Sequence, residues 1–328
     1  MRDRILAAFT APLIAAGLLA AVPAAAQTPA GSKATRPSAG KAAAVKKWRT
    51  PWGDPDLQGS WSNTNVTPLE RPAKWAGREF MTEQEQAEEV KKRTRDEGSG
   101  GGYYDSSWTD GRTSLIYDPP DGRMSAPTPE GKKRQAALKA SFDRARNNGP
   151  YDGPEDMEIR TRCIIRDALP RIPATYGNSY EIVQAPGSVA IYHEAIHETR
   201  VIPLDGRAHL NAGVRQWFGD PRGHWEGNTL VVETTNFNDQ TAFQGSTQNL
   251  RLVERWTRAA DDRIDYTFTV SDPETWTRPW SASIPWHAAG AVYEYACHED
   301  NIDMYGILTG ARANDGKAAE PPKKGPSK

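Results

Sequence analysis

Histidine and arginine side chains recur over the short stretch from His197 to His209. Arg200 lies between them, and Asp205 begins an Asp-Gly turn. Two strands leaving such a turn can bring both histidines towards one side of a sheet. Arginine binds carboxylates through paired N–H groups, and histidine transfers protons near neutral pH. The spacing predicts an acid–base site or, as the simpler alternative, a salt-bridged hairpin with surface histidines.

Further titratable groups lie in β-like segments nearer the C-terminus. His298 is a candidate general base, while Glu233, Glu254 and Arg255 lie inside apolar strands. A charge within a barrel strand either faces outward or is paired in the lumen, where burial raises the pKa of a carboxyl group. The candidate catalytic residues are His197, Arg200, His209, Glu233 and His298, and the candidate substrate-binding residues are Tyr176, Asn178, Asp205, Arg255 and Trp256.

The segment from His193 to His197 reads His-Glu-Ala-Ile-His, which matches the HExxH pattern of zinc proteases. That pattern needs an α-helix, on which the two histidines share a face. The neighbouring residues are β-branched and alternate in polarity, which predicts a strand. On a strand the histidines would stand ~13 Å apart, and one zinc with ligands at ~2 Å cannot bridge them. No metal site is predicted, and a helical segment here would reverse this interpretation.

The sequence lacks the common cofactor motifs. It has no Walker loop, GxGxxG turn, GxSxG elbow, CxxCH haem site or EF-hand loop. No cofactor is predicted. Its 41 basic and 42 acidic side chains balance, which argues against a nucleic-acid partner. The expected partner is a small-molecule ligand or substrate, and the oligomeric state is left open.

The N-terminus is typical of an export signal. Arg2 and Arg4 precede an apolar run from Ile5 to Val22, and small residues follow up to the expected cleavage after Ala26. Prolines break the run, which is shorter than the ~20 residues of a membrane-spanning helix. We therefore expect a periplasmic or secreted protein without a transmembrane segment.

Two cysteines, Cys163 and Cys297, are present in the chain. In an oxidising compartment such a pair tends to form a disulfide. The alternative is two separate buried thiols. A catalytic thiol is not indicated, because neither residue has a recognisable nucleophile context.

Composition divides the chain into five parts. After the signal peptide (1–26), residues 27–50 form a basic linker that is expected to be disordered. Residues 51–175 are expected to be an extended and helical region packing on a barrel, which residues 176–312 form. Residues 313–328 are a Pro/Lys tail that is also expected to be disordered.

Helix signals precede the barrel region. Thr82 and Glu85 form a capping box that begins a helix over residues 83–96. A second helix over 131–146 begins at Thr128, which is followed by proline and glutamate.

From residue 176 the hydrophobic period becomes two. Ile264, Tyr266, Phe268 and Val270, for example, share one face of a predicted strand. The fold class is mainly β, an antiparallel barrel with a helical and irregular N-terminal extension. The eleven tryptophans either line a pocket or fill the barrel ends. The predicted strands cover residues 180–184, 189–193, 229–237, 250–258, 264–270, 280–287 and 292–296.

Three stretches carry a resemblance to a known family: PWGDPDLQGSW (51–61), the run from IPLDGRAHL to WEGNTLVVETTNF (202–237) and VYEYACHEDN (292–301). They resemble a large, mostly uncharacterised family of exported bacterial proteins, which implies no particular activity. Pro221 and Asn228 depart from the family pattern, which has serine and aspartate at these turn positions. The residues that match it are His197, Arg200, Asp205, His209, Glu233, Cys297 and His298.

The tripeptide from Gly59 to Trp61 resembles the lipocalin opening motif. That resemblance implies a lipocalin-like barrel that holds a small, largely apolar ligand. His193 lies outside the pattern of the exported family, which weakens the zinc-protease interpretation further.

Three functions follow from these features. The leading hypothesis is an exported, cofactor-independent acid–base enzyme of the lyase or isomerase type, acting on a small aromatic or carboxylate-bearing molecule. The alternative is a non-catalytic periplasmic binding protein for a hydrophobic small molecule. A structural envelope protein, held near an anionic surface by its basic linker, is the third. Convergence of His197, His209, Glu233 and His298 on one cavity would favour enzyme or binder over scaffold.

Overall fold

The computed structural model describes residues 48–97, 108–147, 149–174, 176–240, 243–299 and 301–314. The predicted signal peptide and most of the linker and tail lie outside these residues. Residues 48–50, at the end of the linker, are among the described residues. Their contacts show that the predicted disorder does not extend to residue 50. Trp48 donates its indole N–H to Asp261 at 2.8 Å, and Arg49 donates to the Asn228 side chain at 2.7 Å. These bonds hold the linker's end against the barrel.

One antiparallel sheet dominates the described residues. In chain order its strands are β1 (Gly59–Ser62), β2 (Ile116–Asp118), β3 (Ser179–Ala185), β4 (Ser188–His193), β5 (Glu198–Pro203), β6 (Asp220–Glu226), β7 (Thr229–Thr235), β8 (Arg251–Ala260), β9 (Arg263–Ser271) and β10 (Trp280–Ala288). Nine of them follow the order β5-β4-β3-β1-β10-β9-β8-β7-β6, and β2 pairs with β10 off this path. The mainly β fold class predicted from the sequence is confirmed.

The sheet curls until its edge strands β5 and β6 meet. Side chains fill the seam between them: a Cβ added at Gly223 would lie 2.6 Å from Leu204 Cδ2 and 2.8 Å from Ile202 Cγ2. Arg200 of β5 donates to Thr234 Oγ1 of β7 at 2.7 Å. The result is a nearly closed antiparallel barrel. Its path of nine strands within the described residues is one more than the eight of a lipocalin barrel.

The strand order corrects two predictions. β1 lies between β3 and β10, so the barrel includes a strand from outside residues 176–312. The strand predicted over 292–296 is irregular. The preceding strand, β10, already has β1 and β9 as neighbours and offers no free edge. The Tyr293 N–H donates instead to Glu194 Oε1 at 3.0 Å.

The described residues also form three α-helices: α1 (Glu83–Glu97), α2 (Pro129–Arg146) and α3 (Asp303–Asn314). The predicted capping box is present, because the Glu85 N–H donates to Thr82 Oγ1 at 3.2 Å and the Thr82 N–H donates to Glu85 Oε2 at 2.8 Å. Thr128 Oγ1 accepts from the Gly131 N–H at 2.9 Å, as its sequence context predicts. Helix α3 was not predicted, and its last two residues lie in the predicted tail. None of the helices in the described ranges is long and apolar enough to cross a membrane.

Aromatic rings fill the interior of the barrel. Trp256 stacks on Tyr266 with ring centroids 4.9 Å apart, and Trp286 stacks on Tyr180 at 4.5 Å. Tyr266 and Trp286 join the two pairs at 5.5 Å. All four rings are buried. Trp256 and Trp286 therefore pack the core, and both also line a cavity in the lumen, so the two roles predicted for tryptophan occur together. Each such ring stabilises the fold by roughly 1.5–3 kcal/mol through burial alone.

The tight turn before β6 packs closely against the end of β7, and a substitution at Gly219 tests that contact. Gly219 has φ +64°, and an added Cβ would lie 2.4 Å from the Thr235 carbonyl oxygen. We expect Gly219→Ala to lower the free energy of unfolding by about 3 kcal/mol, from left-handed strain and steric overlap together. Gly227→Ala is the control, because Gly227 has φ +63° with no atom within 4 Å and should cost only ~1–2 kcal/mol. Equal losses in urea unfolding would contradict the steric contribution.

Candidate binding site in the barrel lumen

Strand alternation places an ion pair inside the barrel. Arg200 and Glu254 have side chains only 10% and 2% exposed, and the guanidinium contacts both carboxylate oxygens. The Tyr266 hydroxyl donates to Glu254 Oε1 at 2.9 Å, and Arg200 also donates to Thr234 Oγ1 at 2.7 Å. Two charges are therefore held away from water, each with hydrogen-bond partners, as buried charges require.

A second charged network lies at the start of β5. Glu198 is paired with Arg171 and accepts from the backbone N–H of Arg166. His193 Nδ1 lies 3.2 Å from Glu198 Oε2, and His193 Nε2 lies 2.7 Å from the Gly177 carbonyl oxygen. The Gly177 carbonyl is an acceptor, so Nε2 carries a proton and donates to it.

Both networks line one cavity of about 30 Å³. A cavity of this volume holds about two water molecules. Three of the residues that line it, Arg200, Trp256 and Trp286, each carry a side-chain N–H (Nε or Nε1) that is buried without a partner. Unpartnered buried donors are rare in proteins, and three around one cavity form a site suited to hydrogen-bond acceptors.

The segment from Arg166 to Ile172 closes this end of the lumen. Leu169 and Arg171 face the cavity. Phe218 also lines the cavity: it is half-buried, and the Arg171 guanidinium lies 5.3 Å from its ring centroid. Displacement of the Phe218 ring would widen the cavity without breaking a strand pairing.

Burial changes the protonation of the lumen side chains. It raises the pKa of Tyr266 well above the ordinary value and also raises that of Tyr180. It lowers the pKa of His193, whereas the hydrogen bond that a protonated Nδ1 makes to Glu198 acts in the opposite direction. At neutral pH both tyrosines therefore remain proton donors, and burial favours the uncharged form of His193.

The lowered pKa of His193 predicts a pH dependence of stability. As the pH falls, the unfolded chain takes up this proton first, so the free energy of unfolding decreases below pH ~6.5 by up to about 1.4 kcal/mol per pH unit. His193→Gln should remove this component of the slope between pH 7 and pH 5. His224→Gln, at an exposed histidine, should leave the slope unchanged. Identical slopes in H193Q and the unaltered protein, measured by urea unfolding, would contradict the prediction.

Two of the predicted site residues, Arg200 and Trp256, line the cavity. His197 and His298 form a separate exposed pair, with ring centroids 6.0 Å apart. This pair lies beside the bond between Cys163 and Cys297, which form a disulfide as the export context favours.

His209 and Glu233 form a third group, outside the barrel. His209 Nδ1 lies 3.0 Å from Asp220 Oδ2, and its Nε2 lies 3.9 Å from Glu233 Oε1. Glu233 is also paired with Arg251, and that hydrogen bond lowers the pKa of the glutamate. Residues 204–219 connect β5 to β6 as a long segment, so the predicted hairpin at Asp205 is wrong. His197, His209, Glu233 and His298 therefore do not converge on one cavity, so this criterion does not favour enzyme or binder over scaffold.

The remaining predicted binding residues have local partners. Asp205 is exposed and paired with Arg207, and Arg255 pairs with Glu226 at 2.6 Å on the outer face. Asn178 is buried, but its side chain bridges the N–H and carbonyl of Ala174 and so braces its own loop. Tyr176 lies on the surface, with the Arg166 guanidinium 4.3 Å from its ring centroid.

The HExxH segment does not form an α-helix. His193 ends β4, and residues 195–197 form one 3-10 turn in which Ile196 and His197 have positive φ. The helical spacing that a zinc protease needs is absent, but the strand predicted across this segment is wrong, because β4 ends at His193 and β5 begins at Glu198. Within the part of the chain that the structure describes, no group of three His, Cys, Asp or Glu side chains is placed to hold a metal ion.

Sequence reasoning missed several residues of the site. Glu198 has the same strand parity as Arg200, so alternation alone could have placed it in the lumen. His193 and Tyr266 lie at inward positions of predicted strands. Arg171 has no such signal, because it lies in a segment without regular structure.

The assembled site combines aromatic walls, two neutralised ion pairs and donors without partners. It can hold an oxygen acceptor and place carboxylates and a neutral histidine beside it. No protein-family model, curated protein or solved structure matches the chain. The chemistry of the site is therefore the basis for a functional proposal.

Proposed function

We propose that the protein binds a small, uncharged, carbonyl-bearing organic molecule in the barrel lumen. The observation that carries the proposal is that three residues lining one cavity, Arg200, Trp256 and Trp286, each have a buried N–H without a partner. A carbonyl oxygen would satisfy such donors. The stacked tyrosine and tryptophan rings would contact a flat apolar body.

The charges favour a neutral ligand over a carboxylate. Arg171 and Arg200 are both already paired, with Glu198 and Glu254. A third carboxylate would meet two existing ones at low dielectric, where repulsion is strong. The resting cavity admits only the carbonyl end of a ligand, so binding requires the Phe218 ring to move.

Acetophenone is a suitable probe. We expect it to bind more tightly than ethylbenzene, which has a similar shape without the oxygen, and more tightly than benzoate. Trp256→Phe keeps an aromatic ring and removes one N–H, so it should weaken acetophenone binding about tenfold if one hydrogen bond is lost. Trp52→Phe is the control, because Trp52 is 38% exposed. Isothermal titration that gave equal affinities for acetophenone and ethylbenzene would overturn the proposal.

Acid–base catalysis on the same ligand is the second candidate. Its supporting observation is that each lumen carboxylate contacts a proton carrier: Glu254 accepts from the Tyr266 hydroxyl at 2.9 Å, and Glu198 lies 3.2 Å from His193 Nδ1. A carboxylate or neutral histidine could remove a proton next to a bound carbonyl, and a tyrosine hydroxyl could donate one to its oxygen. Such enolisation is the first step of many isomerase and lyase reactions.

Exchange of the ligand's protons with solvent distinguishes an acid–base enzyme from a non-catalytic binding protein. In deuterated buffer an enzyme would replace the methyl protons of acetophenone by deuterium faster than buffer alone, as seen by loss of the NMR signal. His193→Gln should slow that exchange if His193 is the base. Binding without exchange would leave the non-catalytic binding protein as the function.

We also propose that the protein works after export, as a member of the family of exported bacterial proteins that it resembles. The disulfide between Cys163 and Cys297 supports an oxidising compartment. A periplasmic or secreted location is tested by fractionating cells and sequencing the mature N-terminus, which should begin at Gln27.

A further inference from the structure

A second cavity lies on the other side of the segment that closes the lumen. Ala168, Pro170 and Ile172 line it, whereas Leu169 and Arg171 in the same segment face the lumen. Helix α2 forms its opposite wall. This groove has a volume of about 340 Å³, which is within the range of small-molecule pockets.

The walls of the groove are mainly apolar. Leu138 and Phe142 contribute from α2, Met157 and Ile159 from the following loop, and Phe243 from the connection after β7. Met157 and Phe243 are buried, while the Phe142 ring is 39% exposed at the rim. An apolar body of one or two fused rings would fit between these side chains.

The charged groups at the groove balance. Glu158 Oε2 accepts from Arg160 Nε at 2.6 Å, and Asp167 Oδ2 lies 3.3 Å from Arg166 Nε. The other oxygen of Glu158, Oε1, is buried and has no hydrogen-bond partner. Burying a carboxylate oxygen without a donor is costly, so the groove presents an acceptor to a ligand without presenting net charge.

We infer that the groove is a second binding site for a neutral amphipathic molecule, a phenol or alcohol with an apolar ring system. Its hydroxyl would donate to Glu158, and its rings would lie against Leu138, Phe142 and Ile172. The lumen residues offer unpartnered donors, whereas the groove residues offer the unpartnered Glu158 Oε1 together with one unpartnered donor, Arg166 Nε, so a hydroxyl, which both donates and accepts, suits the groove. The inference does not depend on the function proposed for the lumen.

The test uses the full mature chain with 2-naphthol as the probe and 2-methoxynaphthalene as its matched compound without a donor. We expect 2-naphthol to bind at least about tenfold more tightly, the ratio for one hydrogen bond to a charged group. Glu158→Leu should reduce that preference to near unity. Circular dichroism would verify that each variant is folded.

Variants on α2 locate the binding. Leu138→Trp should fill the groove and weaken binding of both naphthalenes about tenfold or more. Ala140→Trp, at an exposed position two residues further along the helix, should leave both affinities unchanged. Equal binding of the two compounds, or 2-naphthol binding that survives L138W, would overturn the inference. Loss of 2-naphthol binding in W256F would also overturn it, because the compound would then lie in the lumen.

Discussion

Replacing Cys163 and Cys297 together by serine is expected to lower the free energy of unfolding by about 5 kcal/mol. The disulfide joins residues 134 positions apart, and in the chain-entropy account a cross-link over a loop of that length removes about this much free energy from the unfolded state. Urea unfolding of the double variant and of the unaltered protein, both at pH 7, measures the difference.

The position of the disulfide explains why its loss should matter locally as well. It anchors the irregular segment after β10, and α3 beyond it packs through Ala311 on a small cluster with Tyr151 and Met157. Without the cross-link, amide protons in α3 should exchange faster than those of β8 and β9.

Reduction of the unaltered protein provides the control for this prediction. It should reproduce the stability of the double serine variant, because Cys163 has φ 53° and cysteine and serine bear the same backbone strain there. A difference below 1 kcal/mol between oxidised and reduced protein would contradict the entropic argument.

The strands that could be predicted are those whose burial alternates along the sequence. In β9, Ile264, Tyr266, Phe268 and Val270 are all buried, and the residues between them are not. A period of two follows directly from strand geometry. The same signal is weak in β1, which has only four residues, and its place between β3 and β10 depends on partners distant in the sequence.

A site residue could be predicted only where the alternation of buried and exposed residues shows which face of the strand its side chain lies on. Glu254 lies between the inward residues Leu252 and Trp256, and it faces the lumen. Glu233 lies in β7, where three consecutive residues before it are buried, so the pattern does not reveal its outward direction. Clustering in sequence was the wrong guide for His197 and His209, because residues 204–219 separate β5 from β6 instead of forming a hairpin.

Replacing Glu254 by glutamine should lower the free energy of unfolding by about 3–5 kcal/mol, the cost of leaving one partner of a buried ion pair uncompensated. The substitution keeps the size of the side chain and an oxygen that can accept from Tyr266. It leaves the Arg200 guanidinium, 10% exposed, without a counter-charge. Urea unfolding at pH 7 measures the loss.

Glu233→Gln is the matched control. Glu233 also lies in a strand and pairs with an arginine, Arg251, but their side chains are 35% and 53% exposed. Water screens such a pair, so this variant should cost less than ~1 kcal/mol. Similar decreases in the free energy of unfolding for E254Q and E233Q would mean that breaking the buried Arg200–Glu254 pair costs no more stability than breaking an exposed pair.

Removing both lumen charges separates stability from function. The double variant Arg200→Met with Glu254→Gln leaves no unpaired charge, and buried ion pairs replaced by uncharged side chains often lose little or no stability. We therefore expect it to recover most of the 3–5 kcal/mol that E254Q alone loses. It also lacks the Arg200 Nε donor, so its affinity for acetophenone should be lower than that of the unaltered protein. Recovered stability with weakened binding would show that the pair is needed for the ligand more than for the fold, whereas recovered stability with unchanged acetophenone affinity would show that Arg200 Nε does not bind the ligand.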